Sequence, residues 1–209
     1  MRPVIFARIA DMKYYKGITD ADKPVNGGSY VRDTSYAHEC YNFDSVTLDD
    51  GKEYCLGFSQ LLGGKDPQLH IERIVGCEKM SDKDQVDDVT VIFCSKSIGS
   101  KSMRIVGFYK HAIVFRYYQE CIFDGIDEDE YIQSYSFIAE KKNCILLPYQ
   151  ERFSSGKWFV PTSGKMGYSF GYGHSNIWFA GSDTDNKDEI KYVNQILDSI
   201  DSYNGSNLV

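Results

Sequence analysis

The sequence predicts a strand-rich α+β domain, a partly open β-barrel with one amphipathic helix near its C-terminus. Three observations predict it. Short apolar runs rich in β-branched residues recur at 3–10 (PVIFARIA), 89–95 (VTVIFCS), 103–109 (MRIVGFY) and 112–118 (AIVFRYY). Aromatic residues make up 14% of the chain, with 16 Tyr and 12 Phe against 2 Trp, and such rings favour strands. One stretch has a clear helical period: Ile190, Val193, Leu197 and Ile200 share a face within 185–203, and Gly205 follows its end.

The elements follow in order. Residues 3–10 read as a buried strand, and 20–29 as a loop carrying Pro24 and the Gly27-Gly28 pair. Residues 30–43 read as a short helix or turn and then a strand. Asp49-Asp50-Gly51-Lys52 sits between Val46-Thr47-Leu48 and Tyr54-Cys55-Leu56, as a hairpin turn should. Residues 69–75 alternate apolar and polar, and the acidic stretch 82–88 reads as an exposed loop. The runs 103–109 and 112–118 read as two strands split at Lys110-His111. Residues 135–140 and 144–147 read as a pair turning at Lys141-Lys142-Asn143, and 158–161 as a short edge segment. Asp and Thr residues at 183–188 supply helix caps.

A length of 209 residues suits a single domain spanning 1–209. The formal net charge of −7 argues against general nucleic-acid binding, which rests on neutralised phosphates, but leaves room for a local basic face. The six Cys are widely spaced, lack CxxC pairs and mostly lie in apolar runs, so they read as buried, reduced thiols rather than a zinc site. Met1-Arg2-Pro3 leads straight into an apolar run, without the pattern of a secretory leader. No apolar run reaches the ~20 residues of a membrane span. These readings give a cytoplasmic protein with no membrane partner.

Two islands combine Gly, rings and amide or imidazole groups. One is Gly27-Gly28-Ser29-Tyr30-Val31 followed by His38-Glu39-Cys40-Tyr41-Asn42-Phe43; the other is the run 167–180. Gly lets backbone approach a ligand, rings stack on planar groups, and His or Asn reads polar edges. The candidate pocket is therefore Tyr30, His38, Tyr41, Asn42, Trp158, Tyr172, His174, Asn176 and Trp178, with both islands lining one cavity. Rings inside apolar strands, such as Phe93, Phe115 and Phe137, need no ligand and should simply pack.

Catalytic readings are weaker. Asp129 with Glu140-Lys141-Lys142 could be drawn as a metal-dependent nuclease core, yet the lysines read better as a turn. Cys40 beside His38 could form a nucleophile pair, although burial of the thiol competes. No nucleophile elbow, HExxH helix, phosphate loop or dinucleotide fingerprint occurs. No catalytic residue, metal ligand or cofactor is assigned. A small nuclease or nucleotide hydrolase and a protein-interaction module are the alternatives to a binder of planar groups.

Several segments in series resemble the EVE and YTH branches of the PUA-like superfamily, of the kind found alone or fused to HNH endonucleases. They are Met12-Lys13-Tyr14-Tyr15-x-Gly17, Gly27-Gly28-Ser29-Tyr30-Val31, His38-Glu39-Cys40-Tyr41-Asn42-Phe43, Val89-Thr90-Val91-Ile92-Phe93, the run 105–116 (IVGFYKHAIVFR) and Gly171-Tyr172-Gly173-His174-Ser175-Asn176-x-Trp178. The resemblance implies a small, partly open PUA-like β-barrel with flanking helices. It also implies a reader of modified, typically methylated, bases in duplex DNA, which flips one base into an aromatic pocket. Such a module would be the specificity part of a modification-dependent restriction or defence system. The chain departs from that pattern in its acidic charge and in having no zinc-type Cys or His cluster after residue 180. A nuclease would then be a separate subunit or domain.

Overall fold

A computed structural model describes residues 1–26, 38–63, 67–97, 102–124, 130–154, 156–182 and 185–209. The strands are β1 (Val4–Arg8), β2 (Ser45–Thr47), β3 (Glu53–Gly57), β4 (Gln85–Ser95), β5 (Met103–Asp124), β6 (Glu130–Glu140), β7 (Cys144–Leu146), β8 (Phe159–Val160) and β9 (Ile177–Trp178). The helices are α1 (Glu151–Ser154) and α2 (Lys187–Asp201). All the strands join one mixed sheet in the order β2-β3-β6-β5-β4-β1-β9, with β7 and β8 also paired to β5. Only the β1–β4 pairing is parallel. The path ends at β2 and β9, so the sheet is open.

β5 organises the sheet. At ~3.3 Å per residue, its 22 residues would far outrun an average strand if straight. It bends instead. One edge runs along β4 as far as Phe115, and the other is shared in turn by β8, β7 and β6. The expected break at Lys110-His111 is thus a kink inside one strand. His111 (φ 53) and Asp88 (φ 58) both take left-handed backbone there, and His111 Nδ1 lies 2.6 Å from Asp88 Oδ1. The expected pairing of 135–140 with 144–147 is also replaced. Residues Lys141–Asn143 form a 3-10 turn that delivers β7 to a different stretch of β5.

The β2–β3 hairpin forms around Gly51 (φ 75), as the turn sequence requires. The alternating stretch 69–75 is not a strand: it contains the 3-10 turn Ile71–Arg73, which lowers Leu69, Ile71 and Ile74 into the core. The acidic stretch after residue 82 does not stay a loop, because β4 begins at Gln85 and carries exposed Asp87 and Asp88.

The sheet is strongly curled. Phe93 on β4 and Phe137 on β6 flank β5, yet their centroids lie 5.8 Å apart, well under the ~9.6 Å of two strand spacings. A Cβ at Gly57 of β3 would strike the rings of Phe93 and Tyr109, so β3 approaches β4 across the curl. Side chains alternate in β1, which divides the core. Ile5 and Ala7 face the curl with Phe43, Val91, Phe93, Tyr109 and Phe137. Val4 and Phe6 face outward with Ile92, Phe108, Trp158 and Trp178, beneath Val193, Ile196, Leu197 and Ile200 of α2. Helix α2 starts on Asn186, whose side chain accepts from Glu189 N at 3.1 Å.

Candidate functional site

The chain gathers buried polar groups where it leaves the sheet after β1. Arg8 N still donates to Asn176 O (2.7 Å) and Ile9 N to Cys94 O (2.9 Å). The chain then turns about Tyr15 (φ 50), whose hydroxyl donates to Ala10 O (2.7 Å) and accepts from Met12 N (3.2 Å). Glu39 is buried, and its Oε1 accepts from Ala10 N at 3.1 Å. Asp11, also buried, accepts from Ser95 Oγ at 2.5 Å and from the Tyr149 hydroxyl at 3.3 Å. Arg152 is wholly enclosed and spends its guanidinium on carbonyls, at Met12 (2.6 Å), Lys13 (2.7 Å) and Leu147 (3.0 and 3.1 Å). Buried charge is costly, and its concentration at the end of a sheet marks a candidate site.

Opposite this turn lies the segment after β3. Asn42 clamps the backbone of Phe58 from both sides, donating to its carbonyl (2.9 Å) and accepting from its N–H (2.8 Å). The half-buried His38 ring lies 5.0 Å from Phe58, which stacks on Tyr118 at 5.1 Å and 15°. The Tyr118 hydroxyl accepts from Leu61 N (2.7 Å) and donates to Ser59 O (3.3 Å). Ser59 Oγ donates to Arg8 O (2.8 Å), and Asn176 Nδ2 donates to Gln60 O (2.9 Å). Burial lowers the His38 pKa and raises that of Glu39. A neutral imidazole offers one donor and one acceptor beside a row of ring faces.

The structure thus brings His38, Asn42 and Asn176 to one segment, with Tyr41 close by, its ring 3.1 Å from where a Gly17 Cβ would stand. It places Trp158, Tyr172 and Trp178 elsewhere, in the core beneath α2. Trp178 lies 4.5 Å from Phe6 and 6.0 Å from both Tyr172 and Tyr192, while Trp158 packs edge-on against Tyr203 at 6.0 Å. His174 is exposed in a small groove with Arg73 and Ser175. Tyr30 lies outside the described residues. The described members of the two islands therefore sit on opposite sides of the sheet, because neighbouring β1 residues point in opposite directions. Arg8 links them: its backbone holds Asn176 and Ser59, and its guanidinium lies 4.8 Å from the Tyr172 ring centroid.

Sequence reasoning passed over Glu39, Asp11 and Arg8. Glu39 carried a signal, as the one acid within the run 38–43 (HECYNF). Asp11 and Arg8 carried none, since their partners Ser95, Tyr149 and Ser59 come from remote segments. The nuclease arrangement gains no support from its described part. Glu140 is paired with Lys142 (2.5 Å) and Lys52 (3.4 Å), and Asp129 lies outside the described residues. Among the described residues no three His, Cys, Asp or Glu converge as metal ligands, Cys40 is buried, and none of the six Cys forms a disulfide.

The raised Glu39 pKa makes a prediction with a definite sign. The folded protein holds that proton more tightly than the unfolded chain, so stability falls as pH rises above the ordinary value of 4.5 toward the raised one. Glu39→Gln keeps an acceptor for Ala10 N and removes the charge. Thermal melts should show the variant a few degrees more stable at pH 8, with the difference closing toward pH 4. Equal melting at both pH values would show that Glu39 is not strained by burial. Compared with family models, with curated proteins and with solved structures, the chain matches none.

Proposed function

We propose that this protein is a nucleic-acid-binding module that takes one modified base of duplex DNA into the cleft at the end of β1. The observation that carries this reading is the convergence there of Glu39 and His38, two groups able to read a base edge, beside the Phe58–Tyr118 ring stack. Flipping a base costs a few kcal/mol. Stacking returns about 1–3 kcal/mol per base, and a carboxylate accepting from an exocyclic amine adds to it. A methyl group contributes apolar area against the same rings. The curl of the sheet around the Phe93–Phe137 core supports the finer reading of the fold as a partly open PUA-like barrel, with the cleft at its mouth.

The net charge of −7 suits a module that grips one nucleotide rather than a long phosphate track. Reading and cutting are separate tasks, so a distinct nuclease subunit or domain would complete a restriction or defence system in the cytoplasm.

Fluorescence anisotropy with labelled hairpin duplexes tests this, using one 5-methylcytosine, one N6-methyladenine or no modification. One modified duplex should bind at least about tenfold more tightly than the unmodified one. His38→Ala and Glu39→Gln should each erase that preference in a protein that still melts cooperatively. Equal affinity for all three duplexes, or strand cleavage on adding Mg²⁺ that Glu140→Ala abolishes, would overturn the reading.

A further inference from the structure

From the outer face of the sheet we infer that β3, β6 and β5 form a docking groove for a basic, amphipathic segment of a partner protein. Helix α2 covers the outer face over β1, β4 and the start of β5. Further along, the same face lies open as a groove of about 1000 Å³. Its floor is a continuous apolar row. Leu56 pairs with Ile138, and Ile138 pairs with Ile113, so three strands place these side chains side by side. Leu48 and Tyr135 extend the row, and Ile122 stands 58% exposed at its far end.

The ribbon beyond this row also lacks neighbours. β4 follows β5 only to Phe115, and β3 meets β6 only from Phe137, so among the described residues no further strand flanks the outer part of either strand. Ile122 faces Ile132 across that ribbon, and Ile132 is itself 42% exposed. A two-stranded ribbon with exposed isoleucines is marginal in water and gains from a cover.

Charge selects the occupant. The groove is rimmed by Asp49, Asp50, Glu120 and Glu140, and no Lys or Arg lines it. Lys52 and Lys142 reach Glu140, Lys52 also stands 3.9 Å from Asp50, and Tyr54 donates to Asp50. His111, which also lines the groove, faces Asp88. Asp49 and Glu120 make no ion pair among the described residues. A second copy docked by two-fold symmetry would lay these acids on themselves, and nucleic acid would add phosphates to them. A segment with one apolar face and a Lys- or Arg-rich flank satisfies both floor and rim. This inference stands apart from the nucleic-acid reading, whose cleft uses other residues.

The probe is a fluorescein-labelled 14-residue peptide of Leu and Lys at helical spacing, with its Leu and Glu counterpart as control. Anisotropy on the full chain should show binding of the Lys peptide and none of the Glu peptide. Asp49→Lys with Glu120→Lys should weaken binding by at least roughly tenfold, and so should Ile122→Asp. Asp82→Lys with Asp198→Lys makes the same charge change on remote exposed sites and should leave affinity within about twofold. Equal weakening by both double variants means attraction to net charge only and overturns the proposal. So does the absence of Lys-peptide binding, or a dimer in sedimentation that Ile122→Asp dissolves. Should Ile122→Asp fail to fold, the Asp49/Glu120 variant decides alone, because both side chains are exposed. Binding of the modified duplex is measured in parallel and should be unchanged by every groove variant.

Discussion

Replacing Trp178 by Ala should lower the unfolding free energy by about 3–5 kcal/mol, a large part of the roughly 5–15 kcal/mol that holds a typical domain together. The indole is 9% exposed and touches four rings, those of Phe6, Phe170, Tyr172 and Tyr192. Its removal leaves a cavity between β9 and α2 that neighbouring rings cannot fill without leaving their own sites. Urea unfolding followed by circular dichroism measures the loss. A Trp178→Ala protein of undiminished stability that no longer binds nucleic acid would show instead that the ring faces a ligand.

Arg152→Ala should be comparably severe, about 3–5 kcal/mol, for a different reason. The guanidinium satisfies the carbonyls of Met12, Lys13 and Leu147 in a place that water does not reach, and Tyr15 and Tyr149 lie beside it. Without it, three buried acceptors lose a partner. Arg152→Lys should rescue little, because one ammonium cannot span the fork of positions that a planar guanidinium fills. The same bonds fix the turn that presents Ala10 to Glu39 and Asp11 to Ser95. A partly folded Arg152 variant should therefore lose duplex binding as well as stability. Full stability of Arg152→Ala in urea would mean that water or a shifted side chain replaces the guanidinium.

Local patterns were legible where a segment's neighbours are its own. The hairpin at 49–52, the strand runs around 4–8 and 89–95 and the helical stripe of α2 all depend on period and turn chemistry within a dozen residues. The long bend of β5 was not legible. A Lys-His pair between apolar runs usually marks a turn, and here the left-handed backbone at His111 and Asp88 keeps one strand continuous. Nor could the pairing of β7 with β5 be read, because a 3-10 turn and a hairpin turn share the same polar residues.

The candidate site divides in the same way. From the sequence alone came the chemistry of the run 38–43 and the expectation that Phe93 and Phe137 simply pack. The sequence also set the acidic charge, which restricts what the protein can bind. Only tertiary structure decided which rings share a face. Residues of β1 alternate between the curl and the α2 side, so Trp178, paired with Phe6, follows Phe6 into one core while His38 and Asn42 gather at the other. Only tertiary structure brought Ser95 to Asp11, Ala10 to Glu39 and Arg152 to the turn between them. Burial and hydrogen-bond geometry depend on segments remote in the chain meeting at one place, and no local pattern encodes such a meeting.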